Sequence, residues 1–287
     1  MRADAIVVAY RSGEIVGPCL EALRADPSVD RIVVVNNSPG DEAERLAHSV
    51  DRVVYLESPG NVGFGRAVNS ARPHVRHPYV VLVNPDAIQE PGTVGALLGF
   101  LEGHPLAGAA APRMTGADGT PFPNSQRDLS LGRLVAESVG LPAALGVARP
   151  LEQHQRAHRT EYVIGSYLAA RAGALDRIGW FDESIFLFGE DLDLCRRMRA
   201  AGWEVWFVPV GRVRHLSGHS WKQLPHQARN LFIEARHREL AKARGPVQAE
   251  AYRVLVTAKE WISRLGARVR ATRRSRAGGR IAPSGGG

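Results

Sequence analysis

The sequence predicts an α/β protein with a mainly parallel central sheet flanked by helices. In the first hundred residues, short β-branched runs alternate with helical stretches, and each run ends in a turn that contains Gly, Pro or Asn. The runs begin about 22 to 26 residues apart, as βαβ crossovers require, and apolar runs such as VVLV are typical of strands covered on both faces. We therefore expect ligands at the carboxyl ends of these strands. The predicted strands are Ala5–Ala9, Arg31–Asn36, Val53–Glu57 and Tyr79–Val83.

The second half of the chain predicts fewer regular elements. After Ala107 the alternation fades, and Leu129–Arg159 mixes helix-like pieces with prolines, which we interpret as a variable, partly mobile insert. The pattern then predicts a strand at Glu161–Arg171, a helix at Asp191–Ala201 and a strand at Glu204–Val208. Two helical stretches follow beyond Leu224, and the tail SRAGGRIAPSGGG is expected to be disordered.

The composition is that of a folded protein. The chain has 287 residues, 44% of them hydrophobic, so it can bury a sizeable core in one large or two small domains. Its two cysteines, Cys19 and Cys195, are too few for a disulfide framework or a four-ligand zinc site, which favours a reducing cytosol. Neither a signal peptide nor the roughly 18-residue apolar run of a spanning helix is recognisable. We expect a cytoplasmic protein.

The positive charge is concentrated near the C-terminus. Residues 1–211 carry 20 basic and 25 acidic side chains, net −5, whereas residues 212–287 carry 17 and 4, net +13. Segments of this kind usually face an anionic partner such as lipid headgroups, diphosphates or nucleic acid. Beyond Pro246 an apolar helical stripe is flanked by arginines, and it predicts either a helix packed on the preceding domain or an interfacial helix on the anionic inner face of the plasma membrane. The stripe consists of Val254, Ala258, Ile262, Leu265 and Val269, with Trp261 beside it.

Two turns after predicted strands offer polar groups to a ligand. In NVGFGRAVN, residues 61–69, Gly63 and Gly65 fit a dinucleotide fingerprint but Val68 replaces its third glycine, which disfavours a nicotinamide cofactor. The turn still precedes a helix whose free amides can hold a phosphate. The segment VVLVNPDA ends in Asn84-Pro85-Asp86, which a type I turn alone would explain. An acid at the end of a central strand can also bind Mg²⁺ or Mn²⁺.

Two later segments carry candidate reactive groups. In FLFGED, an apolar lead-in precedes Glu190 and Asp191 at a predicted helix start. Acids there suit the helix dipole without any chemistry, but a carboxylate desolvated by aromatic neighbours can act as a general base. In VRHLSGHSW, His215 and His219 lie four residues apart. A loop histidine is more often structural, yet an imidazole after a strand could complete a metal site with Asp86.

Taken in order, six blocks resemble the family 2 glycosyltransferases, particularly their bacterial rhamnosyltransferase-like branch, over residues 3–222. Their combined order is far more specific than any one block. The blocks are AYRSGE, VVVNNSPGDE, NVGFGRAVN, LVNPDA, VIGSYLAARAGALDRIGWFDESIFLFGEDLDLCRR and VRHLSGHS. The resemblance implies a GT-A fold and inverting transfer of a sugar from a nucleotide-diphosphate donor.

The resemblance also implies roles for matching residues. Asp191 stands at the catalytic base, with Glu190 beside it, and Asp86 and His215 stand at positions that bind a divalent cation, Mg²⁺ or Mn²⁺. The expected substrate-binding residues are Ala9, Tyr10, Arg11, Asn36, Asn61, Gly63, Arg66 and Asn84. Asn36 stands where the family has an acid that contacts the base, and Asn84 replaces the first acid of the metal-binding triplet. We therefore expect the metal to be held mostly through the donor diphosphate.

We expect the protein to move a sugar, rhamnose first, from a dTDP- or UDP-sugar to a carbohydrate or polyprenyl-diphosphate-linked acceptor in cell-envelope or polysaccharide assembly. Single displacement needs a base on the acceptor hydroxyl and stabilisation of the departing diphosphate, for which Arg66 would assist the metal.

One alternative is a nucleotidyltransferase of similar fold, which would need a second acid near Asp86. The other is a nucleic-acid-binding protein, disfavoured because the basic tail lacks interleaved aromatics.

The expected domain organisation has three parts. Residues 1–222 would form the catalytic domain, 223–272 a basic amphipathic helical segment, and 273–287 a disordered basic tail.

Overall fold

The computed structural model describes residues 1–141, 145–216, 226–259 and 261, without the side chains of 226–228. The predicted tail 273–287, the second histidine His219 and the stripe residues beyond Trp261 lie outside the described residues. The described helices are α1 Val16–Ala25, α2 Ala43–Ser49, α3 Phe64–Ser70, α4 Thr93–Gly103, α5 Leu131–Ser138, α6 Ala172–Ile178, α7 Glu190–Ala200, α8 His226–Arg244 and α9 at residues 246–259.

Eight of the described strands form one large sheet. The described strands are β1 Ala3–Ala9, β2 Val29–Asn36, β3 Val53–Glu57, β4 Tyr79–Val83, β5 Ala87–Gln89, β6 Ala107–Ala111, β7 Met114–Gly116, β8 Pro121–Phe122, β9 Ser125–Gln126, β10 His158–Arg159, β11 Tyr162–Val163, β12 Tyr167–Arg171, β13 Glu204–Phe207 and β14 Val213–His215. The large sheet has the order β10-β13-β6-β12-β4-β1-β2-β3. Strands β4, β1, β2 and β3 run parallel, as the sequence predicted, and β12 lies antiparallel between β4 and β6.

A second, smaller sheet extends the carboxyl edge of β4. Its order is β5-β14-β7-β8, and β5 begins directly after the Asn84-Pro85-Asp86 turn. Strand β14 pairs antiparallel with β5, so His215 lies opposite Ala87. The pairing therefore brings a residue from late in the chain next to Asp86.

Strand alternation divides the core into two layers. Ala9 and Val34 belong to the cluster packed against α1, α2 and α4, whereas Val8 and Val35 belong to the cluster packed against α3, α6 and α7. A third cluster joins the insert to α7 and the C-terminal helices. It contains Leu129, Leu134, Val147, Leu192, Leu240, Ala249 and Tyr252. The described parts of Leu129–Arg159 therefore contribute buried side chains, and α8 and α9 share a core with the preceding domain.

One predicted strand is wrong in its extent. Glu161–Arg171 is interrupted, because the backbone N–H of Ile164 donates to Asn124 and that of Gly165 donates to the side chain of Asp191. The chain consequently forms two strands, β11 and β12, with a polar connection between them. That connection lies against the start of α7.

Candidate active site

A cavity of about 360 Å³ opens at the carboxyl ends of β1, β2 and β4, where the parallel strands predict a ligand. We call it the strand-end cleft. Seven residues singled out in the sequence line it: Tyr10, Arg11, Asn61, Gly63, Asn84, Asp86 and His215. They come from four separate segments of the chain, which the fold brings together at one sheet edge.

The loop after β1 forms one wall of the cleft. Arg11 has a left-handed backbone, φ +48°, and its N–H donates to the Ser38 hydroxyl at 2.8 Å. The next two backbone N–H groups, of Ser12 and Gly13, donate to the carboxylate of Asp41. The Arg11 guanidinium lies 5.3 Å from the ring centroid of Tyr10, which is 45% exposed. A fixed loop thus presents an accessible aromatic ring and a cation.

The turn before α3 forms a second wall and requires glycine. Gly63 has φ +88°, and a Cβ there would lie 2.4 Å from the carbonyl oxygen of Phe186. The Gly63 N–H donates to the Asn61 side chain at 3.1 Å, and its carbonyl accepts from the Asn37 side chain at 3.1 Å. The following N–H, of Phe64, donates to the Phe186 carbonyl at 3.2 Å. The turn is thereby tied to the segment that leads into α7.

Asp86 and His215 meet at the base of the second sheet. The Ala87 N–H donates to the Asn84 carbonyl at 3.0 Å, so Asn84-Pro85-Asp86 does form a turn, and its acid also lines the cleft. The His215 Nε2 lies 3.1 Å from the Asp86 carboxylate. Both side chains are nearly buried, and the His215 Nδ1 has no hydrogen-bond partner among the described residues.

This pair fits a divalent cation in part. A carboxylate oxygen and an imidazole nitrogen are both metal donors, and these two side chains lie 3.1 Å apart on the wall of one cleft. No group of three or more His, Cys, Asp and Glu side chains that could hold a metal occurs within the described ranges. Asp86 and His215 would therefore leave coordination positions open to substrate oxygens and water.

Three expected substrate-binding residues lie off the cleft wall. Ala9 is fully buried, and Asn36 is its register partner on β2, on the opposite sheet face from Val8. The side-chain amide of Asn36 forms hydrogen bonds within the protein, because it donates to Ser38 and Tyr55 and accepts from Ser38. Arg66 instead forms an exposed ion pair with Glu183 at 3.4 Å.

Asn37 lies one residue beyond Asn36 and was not among the expected substrate-binding residues. It lines the cleft, is 2% exposed, and its Oδ1 has no hydrogen-bond partner among the described residues. Its Nδ2 is held by the Gly63 carbonyl, which fixes the amide orientation. Strand alternation could have found it: on β2, residues of one parity face the layer that contains Val8 and those of the other parity face away. The cleft is also lined by Phe64, Phe186 and Leu187, which belong to the NVGFGRAVN and FLFGED segments but were not among the expected binding residues.

The two candidate base residues start α7, just beyond Phe186 and Leu187. The Asp191 Oδ2 accepts from the Gly165 N–H at 3.2 Å and its Oδ1 from the Leu192 N–H at 2.7 Å. Glu190 has a buried Oε2 without a hydrogen-bond partner among the described residues. Burial raises the pKa of Asp191, and burial together with the charge of Asp191 raises the pKa of Glu190. This arrangement can hold a carboxylate that takes up a proton near neutral pH.

The mostly parallel sheet, with an aromatic ring, a glycine turn and an acid–imidazole pair at its strand ends, has the architecture of the GT-A fold. The chain belongs to glycosyltransferase family 2, since the model of that family, "Glycosyltransferase like family 2", matches residues 2–230. It is therefore a glycosyltransferase, and the nucleotidyltransferase and nucleic-acid-binding alternatives are not retained.

Individual relatives agree with this assignment. The chain is 29% identical over 256 residues to the Mycobacterium tuberculosis N-acetylglucosaminyl-diphospho-decaprenol L-rhamnosyltransferase, an alignment that covers 77% of this chain and 81% of the relative. It is 23% identical over 250 residues to the Escherichia coli K12 rhamnosyltransferase WbbL, covering 83% and 92%. Among solved structures, the mannosyltransferase PcManGT from Pyrobaculum calidifontis, in complex with GDP-Man and Mn²⁺, superposes with a TM-score of 0.58 at 16% identity, covering 93% and 80%.

Proposed function

We propose that this protein transfers rhamnose from dTDP-rhamnose, or another sugar from a UDP-sugar, to a polyprenyl-diphosphate-linked carbohydrate acceptor with inversion at the transferred carbon. The observation that carries the proposal is the strand-end cleft, which Asp86 and His215 line together with Asn84 and Gly63. The names of the two rhamnosyltransferase relatives support the sugar, and that of the mycobacterial relative supports the lipid-linked acceptor.

Donor recognition begins with the nucleotide. Tyr10 offers an exposed ring on which a base can stack, and Arg11 beside it offers a positive charge to a phosphate. The Asn37 Oδ1 faces the cleft without a hydrogen-bond partner among the described residues, and an amide oxygen can accept from the N3–H of thymine or uracil. Thymine and uracil both carry that donor, so this contact suits dTDP and UDP alike.

The diphosphate would lie near Asp86 and His215. These two residues would hold a divalent cation together with diphosphate oxygens, and the mixed carboxylate and imidazole donor set favours Mn²⁺ over Mg²⁺. When bound, such an ion supplies positive charge to the diphosphate leaving group. Asn84 and the Asn61 to Gly63 turn complete the wall that orients the donor.

The acceptor would be activated from α7. Asp191 is anchored by backbone N–H groups of Gly165 and Leu192, which leaves further lone pairs on its oxygens for an acceptor hydroxyl. We assign Asp191 as the base and Glu190 as its supporting neighbour. The proton of the acceptor hydroxyl passes to the Asp191 carboxylate as the new glycosidic bond forms and the bond to the diphosphate breaks.

Purified protein tested against a panel of nucleotide sugars would decide the donor. We expect nucleoside diphosphate release that depends on a lipid-linked acceptor and is fastest with dTDP-rhamnose, and we expect dTDP to raise the melting temperature more than GDP does. The variant Asn37→Ala should weaken dTDP protection, while Asn36→Ala should do so only in proportion to its loss of stability. Release that is fastest with a GDP-sugar would contradict the pyrimidine assignment.

The C-terminal segment supports a further part of the proposal, attachment to an anionic membrane surface. In the described portion of the chain, no helix is both long and apolar enough to cross a bilayer. Ala249 and Tyr252 of α9 pack on the domain, but Val247, Val254 and Trp261, spaced by seven residues, are 81%, 67% and 66% exposed. A packed helix would not require this second apolar face, and the basic Arg253 and Lys259 lie on the same segment.

Vesicle binding tests this part directly. Full-length protein should sediment with phosphatidylglycerol vesicles at low salt but not with neutral ones, and the double variant Val254→Ser, Trp261→Ser should lose the binding. Leu106→Ser serves as the matched control, since Leu106 is 60% exposed on another segment. Truncation at residue 246 is a poorer test because it removes Ala249 and Tyr252 from a core cluster. Equal binding of the double variant, or no binding by the full-length protein, would leave α9 as a packing helix only.

A further inference from the structure

The turn that delivers the candidate base is strained. Phe188 and Gly189 both have left-handed backbones, with φ of +63° and +87°, and Glu190 and Asp191 follow at once as the first residues of α7. Such a conformation is unfavourable for phenylalanine and persists only where surrounding contacts impose it. The direction of both carboxylates depends on this turn, so whatever holds the turn also aims them.

Helix α8 supplies the contacts that hold it. The Arg238 Nη2 donates to the Phe188 carbonyl at 3.0 Å, and the Phe188 ring packs edge-on against Phe232, with centroids 5.5 Å apart. Gly189 lies directly against the same helix. A Cβ at Gly189 would be 3.0 Å from the Glu239 Cγ and 3.3 Å from the Arg238 Nη2.

Glu239 in turn fixes Arg238. Its carboxylate is 1% exposed and accepts from the Arg238 Nε at 3.2 Å and from the Arg196 Nη1 at 3.0 Å, with the Lys242 Nζ at 3.5 Å. Arg196 belongs to α7 and also binds Asp128 of the insert. A buried carboxylate surrounded by three cations therefore locks α8 to α7 next to the turn.

We propose that Arg238 is a positioning residue for the α7 carboxylates, which it aims by holding the Phe188–Gly189 turn from α8. The C-terminal helix would then be part of the catalytic apparatus, although its residues do not line the strand-end cleft. The proposal rests on the proposed function, because it takes one of these carboxylates to be the base. Phe186 and Leu187 connect the turn to the cleft, so donor site and base share one segment that α8 supports.

The test compares Arg238→Gln with Arg244→Gln. Both substitutions remove one α8 guanidinium that donates to a backbone carbonyl, but Arg244 binds Leu129, away from the turn, at 3.4 Å. We expect Arg238→Gln to lower kcat between about tenfold and a hundredfold with an unchanged donor KM, because a misdirected base slows chemistry without emptying the donor site. Arg238→Lys should recover part of kcat, and Arg244→Gln should keep nearly all of it.

Amide hydrogen exchange gives a second readout without substrates. Peptides that cover residues 186–192 should exchange faster in Arg238→Gln than in the wild type and Arg244→Gln. Equal exchange and equal kcat in the two variants would overturn the proposal, as would a parallel loss of kcat in both. If the wild type transfers no rhamnose, the proposed donor fails, and the exchange measurement still decides whether Arg238 holds the turn.

Discussion

Asp191 and Glu190 are adjacent carboxylates with different surroundings, and substitution separates their roles. Asp191→Asn should lower kcat by at least about a hundredfold, since a positioned base contributes roughly 10²–10⁴-fold. Glu190→Gln should do less. Steady-state kinetics with dTDP protection as the binding control would measure both effects. Near-normal turnover in Asp191→Asn, with activity abolished in Glu190→Gln, would exchange the assignments.

The pH profile of kcat should reflect the buried pair. Burial raises the pKa of Asp191, and a base works only when deprotonated, so activity must fall as the pH drops through this raised value. The acid limb is therefore expected well above the usual aspartate range near about 4, and it describes the pair rather than one residue. An acid limb at or below that range would contradict a buried base.

Asp86 and His215 predict a metal dependence. Asp86→Ala and His215→Ala should each raise the Mn²⁺ concentration needed for half-maximal activity about tenfold or more, because each removes one protein donor from the proposed cation site. Titration of Mn²⁺ into chelator-treated protein would measure it. Activity that a chelator leaves unchanged would reduce Asp86 to a turn residue.

At this scale the sequence predicted residue types better than side-chain directions. Seven of the expected residues meet in the strand-end cleft, because strand ends and Gly or Pro turns are visible in a sequence. Asn36 was expected in the cleft from its motif position, whereas the alternation of β2 faces Asn36 away and Asn37, one residue further, lies on the cleft wall. Arg66 was expected near the diphosphate, but its nearest acid, Glu183, lies over a hundred positions later and was invisible to a local pattern.

Among the elements, the Asn61 to Gly63 turn has no room for a side chain at Gly63. Gly63→Ala combines a left-handed φ with a clash against the Phe186 carbonyl, so we expect a loss of at least about 2 kcal/mol of stability and weaker donor binding. Gly92→Ala is the matched control, because φ is +78° there but the space is open. It should cost about 1 kcal/mol with normal donor binding. If Gly63→Ala and Gly92→Ala had equal effects in denaturant unfolding and in dTDP titration, the backbone at Phe186 would have moved to relieve the clash.

The elements that the sequence predicted well are those whose signals are local. Val53–Glu57 and Tyr79–Val83 are confirmed at both ends, and the first two strands begin two residues earlier than expected. The break between β11 and β12 was missed because it depends on Asp191, a residue 26 positions from Gly165. The pairing of β5 with β14, which brings His215 to Asp86, is likewise a long-range contact between two short strands.

Across the whole molecule, the uneven charge has a structural use. The basic C-terminal part faces acids of the preceding, net negative part, as in the pairs Arg236 with Glu137 and Lys242 with Asp193. The domain boundary predicted at residue 222 stays a prediction, because α8 and α9 also share an apolar core with α5 and α7. A sequence shows the charge imbalance but not which cations pair internally and which remain at the surface.

The anomeric configuration of the product tests whether the sugar is transferred by a single displacement. A donor held in the strand-end cleft and a base presented from α7 imply that mechanism. Nuclear magnetic resonance of the product formed from dTDP-rhamnose and a polyprenyl-diphosphate-linked acceptor would report the anomeric configuration. We expect the wild type to invert the anomeric configuration of the donor. Asp191→Asn should also invert it, at a rate lower by at least about a hundredfold. Retention of configuration would contradict a single displacement, since retention requires a double displacement or another arrangement of groups.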